Sequence, residues 1–84
     1  MTNKEILKKQ IIYRANHRGT KEMDTLLGSF VKKHIQNFSE KELSELKDIL
    51  YIEDEILYNW YFNKEKKEII PKNNVSELLK KFKL

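Results

Sequence analysis

The chain has no cysteine, and only two glycines and one proline among its 84 residues. Without thiols neither a disulfide framework nor a thiolate metal site can form, so packing must hold the fold. So little glycine and proline, with 39% hydrophobic and 36% charged residues, describes a soluble helical domain rather than a disordered tail. No stretch approaches the roughly 20 apolar residues that a membrane span needs, which predicts no direct membrane insertion. The first nine residues alternate charges around Ile6 and Leu7. That pattern matches neither the apolar region of a secretory signal nor an acid-poor transit peptide. Together these absences predict a reduced protein of the bacterial cytoplasm.

The equipment of catalysis is also sparse. His17 and His34 are the only imidazoles, and their separation is not the short spacing of a helical metal pair. His34 reads as a partly buried stripe residue and His17 as a surface residue. The serines sit in no nucleophile-elbow context, and there is no Gly-rich phosphate loop. Asp54 and Glu55 read as helix-start acids. The expectation is a protein that is not an enzyme, with no catalytic, cofactor-binding or metal-binding residues.

What is present is charge, unevenly laid out. Residues 1–22 carry a net +4, residues 23–38 +1, residues 39–62 −5 and residues 63–84 +4. Alternating basic and acidic segments predict distinct faces. Lysine outnumbers arginine 15 to 2, a coding bias of AT-rich genomes that weakens any argument from the pI of about 9.3 alone. At this length folding removes only about 60% of the unfolded chain's surface, which predicts one domain over residues 1–84.

Capping signals divide the chain into five helical segments. Thr2 with Glu5 opens a helix over 3–17 with Ile6, Leu7, Ile11 and Ala15 on one stripe, and Gly19 closes it by the left-handed conformation glycine tolerates. Thr20 caps a second helix, 21–37, with Glu22 and Asp24 in its first turn. Its stripe of Met23, Leu26, Leu27, Phe30, Val31, His34, Ile35 and Phe38 has the clearest helical period in the chain. Ser39 with Glu42 opens a third helix, 40–51, and Asp54 caps a short fourth bearing Leu57, Trp60 and Tyr61. A flexible linker over 63–73 precedes a last helix capped by Asn74 with Glu77. Short connections predict an all-α, antiparallel five-helix bundle with Leu27, Phe30, Val31, Leu46, Leu57 and Trp60 in one core.

The turn at residues 13–24 concentrates the remaining chemistry. Arg14 and Arg18 are four apart and can share a helix face, Gly19 lets another backbone approach, and Glu22 sets a carboxylate beside that opening. An Arg18–Glu22 surface ion pair is the plain alternative. These residues resemble the SdhE-type family of succinate dehydrogenase flavinylation factors, whose hallmark R-G-x-x-E is met by Arg18, Gly19 and Glu22. Tyr13, Arg14 and Asp24 match the longer form of the motif. Downstream, Leu50, Asp54, Leu57, Tyr58 and Trp60 match a second family pattern, and Leu27 and Phe30 fall where the family has L-x-x-F. His17, Thr20 and Tyr51 depart from it, and the linker and last helix match nothing.

The resemblance implies a helical bundle, monomeric when free, that binds the flavoprotein subunit of succinate dehydrogenase or fumarate reductase. It would promote covalent attachment of FAD to a histidine of that subunit through Arg14, Arg18, Gly19, Glu22 and Asp24. No cofactor would be stably bound, the FAD belonging to the partner. Two alternatives stand beside this reading: a regulatory or antagonist module without a flavin role, and a basic helical nucleic-acid binder. The second is disfavoured by the acidic central segment and by two arginines confined to the end of the first helix.

Overall fold

Short polar side chains set where most of the helices begin. In the computed structural model, which describes residues 2–84, Thr2 Oγ1 accepts from the Glu5 amide at 3.2 Å and starts α1 (Asn3–Ala15). Thr20 does the same for Met23, also at 3.2 Å, and starts α2 (Lys21–His34). Ser39 and Glu42 exchange side-chain and backbone bonds of 3.2 and 3.0 Å and start α3 (Glu40–Leu50). The remaining helices are α4 (Asp54–Tyr61) and α5 (Asn74–Lys81), and no strand occurs among the described residues. The all-α expectation is met.

Several boundaries differ from the sequence reading, each for a local reason. Helix α1 stops at Ala15, not at residue 17, because Asn16 turns its side-chain amide back onto the Ile12 carbonyl at 3.0 Å. Gly19 takes no left-handed conformation, so it is not the residue that ends α1. Helix α2 stops at His34, and a turn through residues 35–37 follows that still buries Ile35 and Phe38. The last helix is capped by Asn73 with Ser76, not by Asn74 with Glu77; Asn74 instead donates to Glu42 Oε2 at 2.7 Å. Glu53, not Asp54, occupies the cap position of α4, and it makes no side-chain capping bond.

Packing follows the stripes. Leu27, Phe30, Val31, Leu46, Leu57 and Trp60 are all buried, in one cluster that also holds Ile11, Met23, Leu26, Leu43, Val75 and Leu79. Ile6 is the exception on its predicted stripe: it is 43% exposed, because α1 buries the face carrying Leu7, Ile11 and Ala15. Helix α1 packs on α2 and α3, and α3 packs on α5. Gly28 makes room for the residue that caps the end of α1, since a Cβ there would stand 2.8 Å from the side-chain Oδ1 of Asn16. Residues 63–73 form no regular structure but are anchored at Ile70, which is 4% exposed. The Tyr61 hydroxyl donates to the Phe82 carbonyl and ties the end of α4 to the end of α5.

Candidate functional site

The α1–α2 turn is built around Arg18, whose guanidinium points into the molecule. Its Nε donates to Asp54 Oδ1 at 2.7 Å, and Nη2 lies 2.6 Å from the same oxygen. Nη1 donates to the Leu50 carbonyl at 2.6 Å and Nη2 to the Ile52 carbonyl at 3.0 Å. The arginine thus satisfies a carbonyl left open at the C-terminus of α3, where a cation also suits the helix dipole, and pairs with the first residue of α4. It fastens the α1–α2 turn to the α3–α4 turn.

Gly19 and Asp24 complete that joint. The Gly19 amide donates to Asp54 Oδ2 at 2.7 Å, so one carboxylate holds both residues of the Arg-Gly pair. A Cβ on Gly19 would sit 3.3 Å from that oxygen, tighter than ordinary van der Waals contact. Glycine is therefore favoured here by close space beside the Asp54 carboxylate and not by backbone angle. Asp24 Oδ1 accepts from the Arg18 amide at 2.6 Å, which locks the turn from the α2 side.

Arg14 and Glu22 face outward. The Arg14 guanidinium lies 3.9 Å from the ring centre of Tyr51, a cation–π contact on the surface between α1 and α3. Glu22 is exposed on the first turn of α2, beside a shallow pocket formed with Lys21, Thr25, Phe62 and Leu84. Arg18 does not pair with Glu22, because Asp54 takes its place. The five residues singled out from sequence therefore divide. Arg18, Gly19 and Asp24 shape the turn through their hydrogen bonds, whereas Arg14 is half-buried against Tyr51 and Glu22 is exposed.

The sequence reading missed the hub itself. Asp54 read as a helix cap, yet its two oxygens bind the side chain and backbone of a segment 35 and 36 residues earlier. The one signal available was its place in the downstream pattern, whose Leu50 and Asp54 both contact Arg18. His17 is a surface residue, its ring stacked on Tyr13 with centroids 4.0 Å apart. His34 is half-buried against Phe30 and Phe38. Among the described residues no three metal-ligating side chains come together, and no buried side-chain polar atom lacks a partner.

Residues 9–83 match the family described as the flavinator of succinate dehydrogenase. The FAD assembly factor SdhE of Acetobacter pasteurianus is 37% identical over 57 residues, covering 68% of this chain and 52% of that protein. The mitochondrial succinate dehydrogenase assembly factor 2 of Dictyostelium discoideum is 34% identical over 76 residues, covering 90% of this chain and 52% of that protein. That of Scheffersomyces stipitis is 39% identical over 56 residues, covering 67% and 38%. The chain thus spans about half the length of the first two relatives and less of the third. No solved structure matches it significantly.

Proposed function

Because the chain belongs to the succinate dehydrogenase flavinator family, we propose that it is an assembly factor: it binds the flavoprotein subunit of succinate dehydrogenase and promotes covalent attachment of FAD there. The observation that carries this reading is the Arg18–Asp54 joint. It draws both stretches of family resemblance into one rigid corner and leaves Glu22 exposed at its edge.

Such a corner suits recognition better than bond-making. Arg18, Gly19 and Asp24 preorganise the turn, so little ordering entropy remains to be lost when a partner docks. A binder that favours one arrangement of the flavoprotein raises the population in which its histidine and the flavin are in attack geometry. The bond-forming chemistry then belongs to flavin and flavoprotein, and this chain acts without being an enzyme. The residues present support a reading in which this chain holds no resident FAD. Both glycines are used for close internal approaches, Gly19 to Asp54 and Gly28 to Asn16, and neither belongs to a Gly-rich loop that could cradle a pyrophosphate. This use of the glycines supports leaving the FAD to the partner. Action on a fumarate reductase flavoprotein, a monomeric free state and a bacterial cytoplasmic setting belong to the same proposal, the last supported by the bacterial relative.

The test is co-expression with a succinate dehydrogenase flavoprotein subunit in cells lacking their own assembly factor, with covalent flavin read by fluorescence on a denaturing gel. Flavinylation that rises with this chain is the expected result. Equal flavin fluorescence with and without it would refute the proposal.

A further inference from the structure

A second feature adjoins the turn at Arg18, with a lining that does not include Glu22. The facing surfaces of α1 and α3 leave an open trough of about 550 Å3, lined by Lys9, Gln10, Tyr13, Arg14, His17, Arg18, Lys47 and Tyr51. No carboxylate lines it. Its walls are two aromatic rings left in solvent: Tyr13 is 64% exposed and Tyr51 55%. Each carries a cation or an imidazole, with His17 stacked on Tyr13, and Arg14 at 3.9 Å and Lys47 at 5.9 Å from the centre of Tyr51.

We propose that this trough is a docking groove for an acidic stretch of polypeptide on the flavoprotein subunit, whose carboxylates meet Arg14 and Lys47 while its side chains pack on Tyr13 and Tyr51. The inference rests on the assembly-factor reading and names a part of the partner's surface. Charge complementarity gives the sign of the occupant, and exposed tyrosine with arginine is the composition that dominates protein interfaces. The architecture argues against a phosphate ligand. The lining comes from the C-terminal half of α1, the turn residues His17 and Arg18, and the C-terminal end of α3, and no residue of a helix's first turn is among it. An open trough with separated cations suits discrete carboxylates along an extended chain. It also runs into the corner, because Arg18 belongs to both.

Binding kinetics of the purified full chain with the purified flavoprotein subunit, at low and at high salt, test the proposal. The expected result is that Lys47→Glu slows association roughly tenfold or more at low salt and removes most of the salt dependence. Tyr51→Ala should accelerate dissociation with little change in association. If helical circular dichroism shows that the charge reversal unfolds the chain, Lys47→Gln takes its place, with a smaller slowing in the same direction. Wild-type binding left unchanged in rate by the folded Lys47 and Tyr51 variants would overturn the groove while leaving the assembly-factor reading intact. Absence of wild-type binding would sink that reading itself. Titration of FAD and of inorganic phosphate into the free chain, read by tyrosine fluorescence, gives a further arm. Saturable binding of either that Lys47→Glu abolishes would make the trough a small-anion site and overturn the polypeptide assignment.

Discussion

Arg18 and Asp54 show how one ion pair can be structural even inside a motif that reads as functional. Their side chains are 9% and 22% exposed, so removing one partner strands the other charge largely away from water. Loss of one member of a buried pair typically costs about 3–5 kcal/mol. Asp54→Ala should therefore lower unfolding stability by roughly that amount in urea titration, and more than removal of a surface ion pair, which is worth about 0–1 kcal/mol. Arg18→Lys keeps the charge but loses the fork that reaches Asp54, Leu50 and Ile52 together, so it should fall between wild type and Asp54→Ala. A stability loss below about 1 kcal/mol for Asp54→Ala would show that the joint does not hold the two turns.

Helix starts and ends carry a second class of consequence. Both Asn73 and Asn74 could cap α5 by residue type, and only the structure separates them: Asn73 Oδ1 accepts from the Ser76 amide at 2.9 Å, and Asn74 reaches across to Glu42. Asn73→Ala should cost about 1 kcal/mol, the usual worth of an N-cap, and Asn74→Ala clearly less. Thermal unfolding of the two variants side by side checks the order. At the end of α2, His34 stacks on Phe38 at 5.5 Å and tilts against Phe30. Burial, and secondarily Lys33, hold its pKa below the ordinary 6.5. The folded state therefore resists protonation more than the unfolded chain does. Stability is complete above pH 6.5 and declines as pH falls through that value, levelling off once the folded-state pKa is passed. Glu42 adds a later step. The Ser39 amide and then Asn74 hold its carboxyl below its ordinary 4.5, so its contribution is present above that pH and lost as pH falls further. His34→Phe should flatten the first step and leave the second; an unaltered pH profile in that variant would remove His34 as its source.

Across the whole molecule, legibility follows the range of the interaction. Capping and periodicity act over three or four residues, so the starts of α1, α2 and α3 and the core residues Leu27, Phe30 and Leu46 could be read directly. The Arg18–Asp54 contact spans 36 positions, and the burial of Ile70 depends on where the linker lands; no local pattern encodes either. The same division of range predicts how function and stability separate. Glu22 is exposed on the first turn of α2, outside the Arg18 network, so Glu22→Ala should leave helical circular dichroism and urea midpoint near wild type. If Glu22 meets a basic group of the flavoprotein, its loss removes one side of a charge pair that closes on docking, a change worth about 2–5 kcal/mol in such interfaces. Covalent flavin in the co-expression assay should then fall sharply with Glu22→Ala although the factor is folded. Asp54→Ala should lower flavinylation together with stability, because the corner presenting Glu22 loosens. Gly19→Arg should fail by a third route, forcing a side chain where even a Cβ stands 3.3 Å from Asp54 Oδ2. Full flavinylation by a folded Glu22→Ala variant would remove Glu22 from the contact surface and leave Arg14 and the α1–α3 trough to carry recognition.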